Sequence, residues 1–196
     1  MLGKKMGLAR ARMFGLVVAF GIAVAMVSVA VAATTVTKTF STGTVSRGVP
    51  DNSGVVQKLK IKRAGKIKDL NVSVALDTFE NDDFDFALLS PKGKVVGLST
   101  GNGASGNGYG NGCGDVLTFD DEATNNVADF EGIDHKFGGE SLQPESYDDG
   151  NQTGGLQTLD NTQLRGTWKL VVLDNEQFGF GALRCFKVQA KFRPAG

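Results

Sequence analysis

Gly166-Thr167-Trp168-Lys169-Leu170-Val171-Val172-Leu173-Asp174-Asn175 decides the fold. Strand side chains alternate between two faces, so Trp168, Leu170 and Val172 share one apolar face. A turn residue opens the stretch. Asp174-Asn175 closes it, because both side chains bond their own backbone and stop a strand. A short strand built on the chain's one tryptophan belongs in the middle of a β-sandwich, with Trp168 as its core anchor.

Working outward, the same alternation recurs. In Val55 to Lys62, Leu59 and Ile61 point one way and Lys58, Lys60 and Lys62 the other, which reads as a half-buried strand with a solvated basic face. In Lys66 to Leu76, residues Leu70, Val72, Val74 and Leu76 share a face. Ile67 falls out of phase, which predicts a bulge near Lys68-Asp69. Phe84 to Leu89 and Val95 to Ser99 read as a hairpin about Ser90-Pro91-Lys92-Gly93, whose Ser, Pro and Gly positions specify a type I turn. Val116 to Phe119 is a short strand. Ala182 to Phe192 closes the fold, with Phe186, Val188, Ala190 and Phe192 on one face and Cys185 on the other. Gly101 to Gly114 alternates Gly with Asn and Ser and reads as a long flexible loop. Asn125 to Gly155 reads as irregular, anchored at Leu142-Gln143-Pro144, and Leu156 to Leu164 leads into the Trp168 strand. No helical stretch is expected beyond the N-terminal segment. About eight to nine short strands between turns predict an all-β, antiparallel jelly-roll sandwich.

Residues 1–32 read as a signal peptide outside the fold. Lys4, Lys5, Arg10 and Arg12 precede an apolar run from Phe14 to Val31, and Ala30-Val31-Ala32 fits the small-x-small cleavage pattern. An uncleaved anchor is the alternative. Residues 33–46 read as a linker and edge strand, and 47–196 as the jelly-roll domain. The expected location is secreted, periplasmic or extracellular, with no membrane contact after cleavage. Without residues 1–32 the chain keeps 17 Lys and Arg against 21 Asp and Glu, a net charge near −4. That balance gives no basic footprint for nucleic acid. In an exported chain, Cys113 and Cys185 most simply form one disulfide, against two free thiols or an intermolecular bridge. Closing that loop stabilises a fold by roughly 4 kcal/mol on the chain-entropy account.

Five blocks in order carry a family resemblance: Val49-Pro50-Asp51-Asn52; Lys66 to Val74; Asp83-Phe84-Asp85-Phe86-Ala87-Leu88-Leu89-Ser90-Pro91-Lys92-Gly93; Thr118-Phe119-Asp120-Asp121-Glu122-Ala123; and Gly166-Thr167-Trp168 with Asp174-Asn175. Together the chain resembles the P domain, or homo B domain, of kexin- and furin-like proprotein convertases. The resemblance covers residues from about Phe40 to Phe192. Two positions depart from the family pattern: Thr78 stands where the family often has His, and Phe186 where the closing strand usually has Trp. The resemblance implies a stabilising module beside a subtilisin-like serine endopeptidase, and a dependence on calcium.

The residues themselves argue against catalysis by this chain. A Ser-His-Asp mechanism needs a histidine base oriented by a carboxylate, and the one histidine, His135, lies in a Gly/Asp-rich loop and is expected at the surface. One His and two distant Cys do not supply zinc spacing. Calcium takes six to eight oxygen ligands, commonly from loops. Asp83, Asp120, Asp121 and Asp174 at strand ends are the expected ligands, the bland alternative being that they cap turns. The expected function is an exported, non-catalytic stabilising or binding module whose partner is a subtilisin-like protease or a cell-surface molecule. The alternative is a carbohydrate- or surface-binding jelly roll, with Tyr109 and Tyr147 as its aromatic candidates.

Overall fold

The computed structural model describes residues 34–145 and 154–195. The signal-peptide reading of residues 1–32 and Tyr147 lie outside them. Ten strands run in chain order: β1 Val36–Ser41, β2 Arg47–Val49, β3 Gly54–Ile61, β4 Gly65–Thr78, β5 Phe84–Leu89, β6 Val95–Thr100, β7 Leu117–Phe119, β8 Ser141–Leu142, β9 Gly166–Asp174 and β10 Gly181–Pro194. They form two sheets. The larger has the order β1-β10-β4-β7-β8, with β2 beside β10; the smaller is β3-β9-β5-β6. Every named pairing is antiparallel except β7 with β8. The all-β sandwich read from the alternation is the observed architecture, with β2 and β8 as very short strands.

The core forms where the inner faces meet. β9 contributes Trp168, Leu170 and Val172, β5 contributes Phe84, Phe86 and Leu88, and β4 contributes Leu70, Val72, Val74 and Leu76; all are buried. Phe186, Val188, Ala190 and Phe192 of β10, beside β4 in the larger sheet, are also buried. The Trp168 indole N–H donates to Leu164 O at 2.9 Å, so the largest core side chain leaves no orphan donor. The bulge predicted from the phase of Ile67 is present. Lys191 pairs with Asp69 and Phe192 with Ile67, so Lys68 is skipped and Ile67 and Leu70 are both buried. Gly93 N donates to Ser90 O at 3.0 Å, closing the β5–β6 turn.

Three expectations are corrected. The glycine-rich loop is pinned rather than flexible: Tyr109 is fully buried and exchanges backbone hydrogen bonds with Leu76 of β4 (2.8 and 3.4 Å). Its ring stacks on Phe137 at 4.9 Å and meets Phe86 edge-on at 4.7 Å. One aromatic among small residues is enough to tie a glycine loop to a core. Helical turns occur where none was expected, at Val127–Phe130 and Leu156–Leu159. Each is a single 3₁₀ turn, too short to show a 3.6-residue period. Asn126 caps the first, donating its N–H to Asp129 and accepting from Ala128 N. The described residues of the Asn125–Gly155 stretch are therefore held in place, and Leu142 is the buried anchor on β7. No helix among the described residues is long and apolar enough to cross a membrane.

Cys113 and Cys185 are bonded, joining the glycine-rich loop to β10.

Candidate functional site

Two turns meet at one end of the sandwich. β4 ends at Thr78 and turns through Phe79–Asp83 into β5; β9 ends at Asp174 and turns through Asn175–Phe180 into β10. Strand pairing fixes the turns against each other. Thr78 is opposite Gly181, Phe84 is opposite Asp174, and Asn175 N donates to Asp83 O at 2.9 Å.

This pairing brings two of the four predicted ligands together. Asp83 is 4% exposed and Asp174 2%. A methyl group added at Gly179 would lie 2.7 Å from Asp83 Oδ2 and 2.9 Å from Asp174 Oδ2. Both carboxylates therefore converge on one point, and Gly179 is the residue that leaves it free. Asp174 Oδ1 accepts from Glu176 N at 3.3 Å, while its buried Oδ2 has no partner among the described residues. One carboxylate oxygen each of Glu80, Asp82 and Asp83 lies within 4.8 Å of the others. Burial, then repulsion from Glu80, Asp82, Asp174 and Glu176, pushes the Asp83 carboxyl up to about 6. Burial likewise raises Asp174 above the usual carboxylate range.

The other two predicted ligands lie elsewhere. Asp120 follows β7 and accepts from Asn71 Nδ2 at 3.0 Å and from Glu122 N at 3.0 Å. Asn71 precedes Thr78 by seven residues of β4, roughly 23 Å of extended chain. Asp121 accepts from the backbone of Leu156 and Gln157 and so caps the second 3₁₀ turn. These two carboxylates serve turns far along β4 from the Asp83–Asp174 pole.

The pole also carries exposed aromatic surface. Phe79 is 74% exposed, Phe178 84% and Phe180 75%. Phe178 has φ +72°, a left-handed conformation that costs a bulky residue roughly 1–2 kcal/mol. A strained aromatic held in solvent, beside two more, gains nothing from the fold and fits a contact surface. The alternation of β9 gave no sign of it; the Gln177-Phe178-Gly179-Phe180 spacing after a strand-ending Asp-Asn was the available signal.

His135 is half-buried. Its ring stacks on Phe130 at 4.1 Å and its Nε2 lies 3.0 Å from Glu140 Oε1. Its carbonyl accepts from Asn81 Nδ2 at 2.7 Å. Gly106 packs against that same carbonyl so closely that an added Cβ would sit 1.9 Å from it. Tyr109 is corrected as a sugar-binding candidate: its hydroxyl lies 2.7 Å from Asn81 O and 2.8 Å from Asn102 O, inside the fold.

No protein-family model matches the chain, and no curated protein is similar to it in sequence at a significant level. Among solved structures, the chain is similar to the serine protease of Aeromonas sobria, with TM-score 0.49 and 15% identity over 81% of this chain and 27% of that one. It is also similar to the Aeromonas sobria serine protease solved in complex with the chaperone, with TM-score 0.48 and 17% identity over 83% of this chain and 28% of that one. The chain spans about a quarter of the length of each of these neighbours.

Proposed function

We propose that this chain is an exported, non-catalytic accessory module of the P-domain kind. It binds and stabilises a subtilisin-like serine protease through the Asp83–Asp174 pole, which holds calcium. The observation that carries this reading is the pole itself. Two of the blocks that resemble the P domain, distant in sequence, bring Asp83 and Asp174 side by side, and the two turns there carry three exposed phenylalanines.

The residues fit a calcium ion. Calcium prefers carboxylate and carbonyl oxygens, and here Asp83, Asp174, Glu80, Asp82 and Glu176 supply carboxylates with one buried oxygen unpartnered. When bound, the ion offsets the repulsion among these groups. The chain's own part is to hold Asp83 and Asp174 together by the β5–β9 pairing, and to keep Gly179 out of the space between them.

The experiment has two arms on the purified protein. Thermal melts with and without millimolar calcium read the site: a higher Tm with calcium, lost in Asp174→Asn, is expected. Incubation with a subtilisin-like protease reads the partner: a longer protease half-life, and no casein turnover by the chain alone, is expected. An unchanged Tm removes calcium, and an unprotected protease removes the partner.

A further inference from the structure

The smaller sheet ends on β3, and among the described residues that edge is open. β3 pairs with β9 on one side. On the other, no backbone hydrogen bond reaches Gly54–Ile61 from any described residue. The opposite edge, β6, is covered. There Glu145 N donates to Leu98 O at 3.0 Å, and the Glu145 carboxylate accepts from Thr100 N at 2.8 Å.

The open edge also carries a row of cations. Lys58 and Lys60 are exposed on the outer face of β3 and Lys62 follows them, roughly 7 Å apart along the strand. Lys58 stands directly opposite Lys169 of β9. Arg165 closes the end, its Nε donating to Lys62 O at 3.0 Å. The ion pairs among the described residues are His135–Glu140 and Arg184–Asp77, so none of these five cations has a carboxylate partner there.

A lysine on an edge strand blunts edge-to-edge aggregation. That explains one lysine of β3, but not the opposed pair. Lys58 and Lys169 are like charges in direct cross-strand register, which destabilises a sheet. In a chain that is net acidic outside residues 1–32, the arrangement favours an anionic occupant. A second copy of the chain is a poor one, since β3 against β3 would set lysine against lysine. An open backbone edge takes an extended strand by main-chain hydrogen bonds, and the side-chain pockets set its sequence.

We infer that β3 takes up an extended acidic segment of a partner protein as a fifth strand of the smaller sheet. Its Asp or Glu side chains alternate, facing Lys58, Lys60 and Lys62. The residues between them are apolar and continue the inner face of Val55, Leu59 and Ile61. This surface is separate from the aromatic pole, and its test does not depend on calcium or on a protease.

The probe is a blocked peptide alternating Glu and Val, about eight residues long, titrated into the purified protein and followed by amide NMR. Perturbations confined to β3 and β9 are expected. Affinity should fall by about tenfold or more in the Lys60→Glu/Lys62→Glu variant, whose Tm should stay near that of the parent. A peptide N-methylated at alternate residues, which keeps the charge but loses backbone donors, should not bind. Equal binding by the N-methylated peptide, equal perturbation by dextran sulfate, perturbations centred elsewhere, or no binding would each overturn the inference.

Discussion

Asp83 keeps a carboxyl group where the surroundings oppose its charge. Its value in the folded chain, about 6, lies above the ordinary 3.8, so the folded state binds more protons than the unfolded state between those two pH values. In calcium-free buffer this group's contribution to stability therefore falls as pH rises through that window, and stays low above it. Asp83→Asn is expected to raise the calcium-free Tm at neutral pH and to flatten that slope; melts across the window check both. The same residue shows how far single positions were legible. Its place at a strand end could be read from the turn chemistry around it. Its company could not, because Gly179 and Asp174 reach it only through the β5–β9 pairing. Tyr109 marks the opposite limit: composition made its surroundings look like solvent-exposed loop, and one aromatic stack with Phe137 put it in the core.

At the scale of elements, alternation was a reliable guide because most strands bury one face and wet the other. Even the bulge in β4 was visible, since Ile67 is buried out of phase with Leu70. Short elements were not visible: a two-residue strand such as β8 and a single 3₁₀ turn carry too little pattern to stand out. The disulfide belongs to this scale because it links a loop to a strand across a sequence separation of 72. Cys113→Ser/Cys185→Ser is expected to lose roughly 4 kcal/mol on the chain-entropy account, read from denaturant melts. Loosening should begin in the glycine-rich loop, where hydrogen exchange at Gly108 and Tyr109 should rise before exchange in β4.

At the scale of the whole molecule, the folded unit carries an aromatic, acidic pole and, apart from it, a cationic edge. The sequence showed the lysine alternation, yet the pairing of Lys58 with Lys169 needed the sheet order. The three pole phenylalanines bury little, so Phe79→Ser/Phe178→Ser/Phe180→Ser should move Tm by less than about 2 °C. The same variant should abolish protection of the protease. A large drop in Tm would show that these rings support the fold instead.

β10 lies one strand in from the edge of the larger sheet, bonded to β1 and β2 on one side and β4 on the other. Ribosomes deliver a polypeptide from its amino end, so Val36–Ser41 waits for Lys187–Phe192 before it has a strand to pair with. Until β10 is made, the larger sheet lacks the strand that joins β1 and β2 to β4. Pairing β1 with β10 joins segments far apart in sequence, the kind of non-local contact that slows folding.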